Sequence, residues 1–142
     1  MTSDGDLLLA SRREAELYRE LVACYRGLAD TLRDSAAVDP ARVGEQRRAA
    51  DALTDDLRRL ALALAPHRLA TVRVPDAVRA IWQSSAALAA EAAAANAEVT
   101  GLAVARRAAV AARLARVGLE HRALAVYRPR ETRTAYCTDQ RA

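Results

Sequence analysis

Residues 96–102, NAEVTGL, interrupt the most alanine-rich part of the sequence and decide which helical fold the chain adopts. They lie between AALAAEAAAA at 86–95 and AVARRAAVAARL at 103–114. Alanine is the best helix former, whereas Asn, Thr and Gly are poorer ones. Either one long helix passes through this stretch, or a helix ends at Thr100-Gly101 and another begins.

The composition of the 142-residue chain favours one all-α domain. Apolar residues make up 52% of it, but aromatic residues only 4%, and Phe is absent. The apolar residues are mostly Ala and Leu, which is typical of packed helices rather than sheets.

Three helices are predicted at about 5–36, 40–65 and 75–127, separated near prolines at 40, 66 and 75. Within each one, apolar residues recur at alternating spacings of three and four, the seam of a coiled coil, with Glu14 as a polar exception in the first. The polar residues 128–142, RPRETRTAYCTDQRA, are predicted to form a flexible tail. The three seams are Leu7, Ala10, Glu14, Leu17, Leu21, Cys24 and Leu28; Val43, Gln46, Ala50, Leu53, Leu57, Leu60 and Leu64; and Val78, Ile81, Ser85, Leu88, Ala92, Ala95 and Val99.

The helix ends carry recognisable signals. Ser3 or Asp4 is predicted to cap the first helix, and Asp39 followed by Pro40 is a favourable start for the second. Pro66 is expected to end or kink the second helix, because proline cannot donate the backbone hydrogen bond and its ring clashes with the preceding turn.

Short connections make successive helices antiparallel neighbours, so the predicted fold is an elongated antiparallel, coiled-coil-like three-helix bundle with a long third helix. At 1.5 Å per residue the helices are about 45, 45 and 75 Å long, so the first two cover the third only to around residue 105. In the alternative, Gly101 takes the left-handed position after a helix end, and 102–126 form a fourth helix. Asn96, Thr100 and Gly101 are thus the candidate helix break or hinge.

An apolar stripe follows this stretch. At 100° per residue its members lie within an arc of about 80°. In the three-helix fold the stripe is uncovered and predicts a partner-binding surface, and the arginines beside it favour an acidic or helix-forming target. In the four-helix fold the same stripe is core. The stripe consists of Val110, Leu114, Val117, His121 and Leu124, with Arg106, Arg113 and Arg116 on one flank.

The net charge of +4 is unevenly distributed. Residues 1–100 carry 13 arginines against 15 acidic residues, whereas 101–142 carry nine against three. A basic C-terminal third raises the possibility of nucleic-acid binding, but it lacks interleaved aromatic residues and no helix-turn-helix precedes it. We therefore predict no nucleic-acid partner, and keep a basic nucleic-acid-binding protein as a lesser alternative.

The sequence predicts no enzyme, cofactor or metal site. Its five glycines are widely separated, Lys is absent, and His67 and His121 have no metal-ligand spacing. Asp55 and Asp56 resemble a paired acid, but Asp55 precedes Arg59 by four residues, the spacing of a surface salt bridge.

A cytoplasmic protein is expected. The opening residues, MTSDGDLLLASRRE, lack the basic region and apolar length of a signal peptide. No window of about 18 apolar residues could span a membrane. Cys24 and Cys137 have no paired spacing, and Cys24 lies on an apolar helix face as a small buried thiol, which suits a reducing compartment.

Over about residues 6–127 the chain resembles the FlgN family of flagellar type III export chaperones. EAELYRELVACYRGLADTL at 14–32 resembles the family's leucine-rich first helix, laced with Arg and Glu. NAEVTGL resembles its Asn-x-x-x-Asn-Gly-x-Leu region, with Asn96 and Gly101 matching and Thr100 replacing the second Asn. ALAVYRP places Tyr127 on the family's tyrosine, but Arg128-Pro129-Arg130 stands where the family often has an Asp-x-x-Gly turn.

The resemblance implies a function in the bacterial cytoplasm. Such chaperones bind C-terminal helical segments of the hook–filament junction proteins FlgK and FlgL and deliver them to the export gate protein FlhA. It places client binding on the C-terminal part of the long helix and gate docking on Tyr127. It implies no cofactor, and the chain is expected to be a monomer or weak dimer. The alternative is a non-enzymatic helical-bundle adaptor without a flagellar role.

Overall fold

The computed structural model describes residues 3–34, 38–70 and 73–127, and helices account for 93% of them, with no strand in these ranges. Three helices form, namely α1 (Asp4–Arg33), α2 (Pro40–Leu69) and α3 (Asp76–Tyr127). The predicted all-α bundle of three long helices is confirmed. The chain divides into two compact units, with Arg106 the last residue of the first and Arg107 the first of the second.

The helix starts follow the predicted caps. Ser3 is the N-cap of α1: its hydroxyl accepts a hydrogen bond from the Asp6 N–H, and the Asp6 carboxylate accepts one from the Ser3 N–H. This reciprocal capping box satisfies two donors that the helix leaves unpaired. Asp39 caps α2 by accepting from the N–H of Ala41 at 2.9 Å.

The helix ends depart from two predictions. α1 ends at Arg33 rather than near 36, and residues 35–37 lie outside the described part of the chain. Pro66 does not end α2, which continues to Leu69. Proline there removes only one helical hydrogen bond, the one to the carbonyl of Leu62, which is itself an exposed residue. The N–H of Ala70 donates to the Pro66 carbonyl at 3.0 Å and closes the last turn.

The predicted seams form the core of the first unit, and each of their residues is buried or half-buried. The core comprises three clusters along the bundle, and each combines side chains from all three helices. The three-four spacing therefore identified the faces that pack together. The clusters are centred on Leu17, Leu21, Val22, Ala50, Leu57 and Ala92; on Leu7, Leu64 and Val78; and on Leu28, Ala29 and Val99.

α1 buries a wider face than its predicted seam. A second row of small or branched side chains is buried beside the seam because α1 packs against both α2 and α3. A helix with two neighbours must cover a broader arc than the two-position stripe of a simple coiled coil. The second row consists of Ser11, Ala15, Val22 and Ala29.

α3 continues through residues 96–102 without interruption, so the four-helix alternative and the predicted helix break are wrong. The Thr100 hydroxyl donates to the carbonyl of Asn96, one turn earlier, at 2.9 Å, so it has a hydrogen-bond partner within the helix. No described glycine has a positive φ. A glycine costs a helix about 1 kcal/mol relative to alanine, which the strong helix formers on both sides outweigh. A hinge at Gly101 stays a prediction.

Leu64 and Leu62 provide a matched test of this core because they lie on the same helix with exposures of 2% and 70%. We expect Leu64→Ala to lower the free energy of unfolding by about 2–5 kcal/mol, since it removes buried contacts and leaves a cavity. Leu62→Ala should change it by less than about 0.5 kcal/mol. Urea denaturation followed by circular dichroism measures both, and equal losses would contradict the placement of α2.

Candidate functional site

The second unit carries the candidate site, because every residue from 107 to 127 is exposed although the segment is rich in apolar side chains. The four aliphatic residues of the stripe defined above have exposed fractions from 45% for Val117 to 67% for Leu114 and Leu124, and His121 is exposed as well. A helix surrounded by water is expected to be polar all round, and an apolar stripe on one face indicates a binding surface. We call Val110, Leu114, Val117, His121 and Leu124 the C-terminal stripe.

The helical backbone aligns the C-terminal stripe. α3 is helical from Asp76 to Tyr127, so successive spacings of four, three, four and three residues bring all five side chains to one face. This is the spacing with which one helix packs against another along a seam. The stripe therefore has the form of half of a helix–helix interface.

The three arginines assigned to this site have different surroundings. Arg113 and Arg116 are exposed in the second unit beside the stripe. Arg106 lies in the first unit and is half-buried, and its guanidinium donates to the carbonyl oxygens of Leu32 at 2.9 Å and Asp34 at 3.1 Å. The last carbonyls of a helix lack partners within it, and a cation there also interacts favourably with the helix dipole. Arg106 thus completes the end of α1.

The hydrogen bonds of Arg106 cross more than 70 positions of sequence, so no local pattern could reveal them. From the sequence alone, an arginine beside an apolar helix face could equally well have pointed into solvent. The predicted gate-docking residue, Tyr127, is the last residue of α3 and is exposed. The predicted tail 128–142 and Cys137 within it lie outside the described residues.

The NAEVTGL segment lines a groove of about 430 Å³ in the first unit. Asn96 and Thr100 lie on its α3 wall, Tyr25 on its α1 wall and Arg47 on its α2 wall. Polar residues that weaken a helix are therefore placed on the wall of a groove between three helices rather than at a helix end. The remaining lining consists of Leu28, Leu32, Val43, Ala50, Asp51, Val99, Ala103 and Val104.

A polar network joins the three helices around a glutamate that sits in the apolar seam. The Glu14 carboxylate is 2% exposed and pairs with the guanidinium of Arg68. That guanidinium stacks over the Trp82 ring, 5.1 Å from its centroid, and the indole N–H donates to the Ser11 hydroxyl at 2.9 Å. Sequence spacing identified Glu14 as an exception, but its partner lies 54 residues away on another helix.

Burial shifts two pKa values beside this core. Desolvation raises the pKa of the Tyr18 phenol, the Glu14 carboxylate raises it further, and the Arg68 guanidinium opposes both. Burial also raises the pKa of the Cys24 thiol, which donates to the carbonyl of Gln46 at 3.3 Å. A raised pKa lowers the thiolate fraction at neutral pH, which makes the half-buried Cys24 thiol a poorer nucleophile.

The adjacent aspartates Asp55 and Asp56 both form surface ion pairs. Asp55 pairs with Arg58 and Asp56 with Arg59, three residues apart instead of the predicted four. In the part of the chain that the structure describes, no group of three or more His, Cys, Asp or Glu side chains could hold a metal ion. Among the same residues, no helix combines the length and apolar character needed to cross a bilayer.

Comparisons with protein-family models, curated proteins and solved structures find no match for this chain. Its class therefore rests on the fold, an all-α helical bundle. The exposed C-terminal stripe is the feature that any function must explain.

Arg106 and Arg113 allow the structural and surface roles to be separated. We expect Arg106→Ala to lower the free energy of unfolding by about 1–2 kcal/mol, because the carbonyls of Leu32 in α1 and of its C-cap residue Asp34 lose a charged donor. Arg113→Ala should leave it within about 0.5 kcal/mol, since Arg113 is exposed. Urea denaturation of both variants provides the measurement. Equal effects would argue against a role of Arg106 at the end of α1.

Proposed function

We propose that this protein is a cytoplasmic export chaperone of the FlgN type, which binds C-terminal helical segments of the hook–filament junction proteins FlgK and FlgL. One observation carries the proposal, namely an apolar stripe on a helical segment in which no residue is buried. The resemblance of NAEVTGL and ALAVYRP to the family's sequence supports the choice of client.

The stripe suits a helical client. Its alternating spacing of four and three residues repeats with the period at which one helix meets another, whereas a strand would need alternate residues. An amphipathic helix can lay its own apolar face along Val110, Leu114 and Leu124 and exclude water from both surfaces. A C-terminal helical segment of a junction protein is a partner of this kind.

The size of the stripe suits a complex that must be released. Burying a Val or Leu side chain fully contributes about 1.5–3 kcal/mol. Only four such residues lie on the stripe, and association costs and the ordering of the client offset much of the gain. The modest net binding energy favours a transient complex, as a chaperone requires if it passes its client to the export gate.

The proposal includes a docking role for Tyr127. Its ring is 83% exposed at the last residue of α3, and the resemblance places it on the tyrosine through which the family contacts FlhA. Tyrosine is frequent among residues that dominate binding energy, because a large ring and a hydroxyl are presented at a low entropic cost. Client binding and gate docking would thus use different residues of the second unit.

The client-binding proposal predicts the effect of charges placed on the stripe. The double variant Leu114→Asp, Leu124→Asp should weaken binding of the FlgK and FlgL C-terminal segments by about a hundredfold or more, since a carboxylate must be desolvated at each contact. Its helical content and free energy of unfolding should stay near those of the wild type, because both leucines are exposed. Isothermal titration calorimetry and urea denaturation provide the two readouts.

A matched control comes from two exposed leucines of the first unit, as Leu9→Asp, Leu62→Asp, which should keep the wild-type affinity. Unchanged affinity in the stripe variant would remove the client-binding assignment. A loss of several kcal/mol of stability in that variant would show instead that the stripe is core. Wild-type protein that binds neither segment would favour an adaptor without a flagellar role.

The proposed docking role of Tyr127 at the export gate leads to a separate prediction. Tyr127→Ala should reduce binding of the FlhA cytoplasmic domain by about tenfold or more, through loss of the exposed ring, and leave the affinity for FlgK and FlgL segments unchanged. Tyr127→Phe, which keeps the ring, distinguishes ring contact from a hydroxyl hydrogen bond. Biolayer interferometry with the client-loaded protein measures both variants. Unaltered docking of Tyr127→Ala would rule out this residue.

A further inference from the structure

The arginines of the two units differ in how their charge is compensated. In the first unit 14 arginines face 15 acidic residues, seven of the arginines form ion pairs with carboxylates, and Arg106 donates to backbone carbonyls. Between residues 107 and 127 none of the four arginines forms an ion pair within the described part of the chain. That segment contains a single acidic residue, Glu120. Uncompensated positive charge is therefore concentrated around the C-terminal stripe.

The helix places these arginines on both edges of the stripe. At 100° per residue, Arg107 and Arg113 lie about 60° to either side of Val110. Arg122 and Arg116 lie about 120° to either side, further from the stripe. An arginine at 60° has the reach to meet a charge that borders the apolar face of a docked helix. Arg107 was not among the residues that sequence reasoning assigned to this site.

We propose that the C-terminal stripe docks an amphipathic helix whose apolar seam is bordered on both sides by carboxylates, which pair with Arg107 and Arg113. The proposal rests on the proposed function only in taking the bound partner to be a helix. Charge complementarity identifies the partner: two flanking guanidinium groups in one helix call for carboxylates at the facing edges of the other. Such pairs select a partner and its orientation more than they add affinity.

A second copy of the chain fits this surface poorly. In a symmetric pair the same patch faces itself, so the arginine-bearing edges of one copy would lie against the arginine-bearing edges of the other. Glu120 alone could compensate them within each segment. Like charges across an interface disfavour the pairing. The charge that favours an acidic helix therefore opposes self-association.

An anionic membrane surface also fits less well. Helices that lie in a membrane interface carry a broad apolar face with Trp, Phe and Leu. Here the C-terminal stripe is only about 80° wide and includes His121, and the other large exposed aliphatic residues, Leu119 and Val126, lie about 160–180° from Val110 and would face away from a membrane in contact with the stripe. Residues 107–127 contain neither Trp nor Phe. A narrow seam between charged edges is the form of a helix–helix contact.

Two synthetic amphipathic peptides test the proposal with the full-length protein. Both carry the same leucine seam with three-four spacing, and the positions that border it are all Glu in one peptide and all Lys in the other. Fluorescence anisotropy at low salt should show about tenfold tighter binding of the Glu peptide. Added NaCl should reduce this preference, because exposed charges are screened.

Charge-reversal variants, measured with the same two peptides, provide a second test. Arg107→Glu, Arg113→Glu should invert the preference so that the Lys peptide binds more tightly. Arg12→Glu, Arg19→Glu makes the same change in net charge on exposed residues of the first unit that form no ion pair with described residues, and it should keep the wild-type preference. Circular dichroism verifies that each variant retains its helices.

Several results would overturn the inference. Equal affinity of the wild type for both peptides would remove the charge selectivity. Binding to vesicles of phosphatidylcholine and phosphatidylglycerol without binding to the Glu peptide would assign the surface to a membrane. Dimerisation in sedimentation experiments that Leu114→Asp abolishes would assign it to a second copy. If FlgK and FlgL segments fail to bind while the Glu peptide binds, only the proposed function falls; if they bind while the two peptides are indistinguishable, only this inference falls.

Discussion

Burial of α1 against both other helices is the interaction on which the first unit depends. Each of its three core clusters contains a residue of α1, and this helix buries two adjacent rows of side chains. Neither α2 nor α3 contributes as many buried residues. Long helices that are poor in aromatic residues depend on many small contacts along their length, since most helical stability in proteins comes from tertiary packing.

Glu14 gives this packing a specific register. Apolar seams of Ala and Leu can slide by one heptad at little cost because their side chains are alike. A buried carboxylate that must meet Arg68, with Trp82 held by Ser11, leaves one alignment in which the polar groups are satisfied. A displaced register would bury Glu14 without a partner, which is far more costly than losing an apolar contact. The polar residues thus select one register of the helices, and the apolar residues supply the stability of the packed bundle.

In the C-terminal stripe, unlike in the first unit, apolar side chains do not contribute to the folded core. In the first unit three-four spacing produces core, whereas in residues 107–127 the same spacing leaves every side chain exposed. Exposed apolar surface contributes nothing to folding and remains free to bind. The arginines beside it form no ion pair with described residues and keep the surface charged, which favours solubility and restricts the set of partners.

The sequence by itself determined the three helices, the caps at Ser3 and Asp39 and the buried faces, because helix propensity, capping and periodicity act between residues a few positions apart. It also located the C-terminal stripe. Whether the chain turned at Gly101 was left open, since a weak helix former marks either a break or a tolerated cost. Only the tertiary structure decided that α3 is continuous, that Glu14 meets Arg68, and that Arg106 completes α1. The Glu14–Arg68 and Arg106 interactions join residues more than 50 positions apart, and such contacts exist only once the helices have packed.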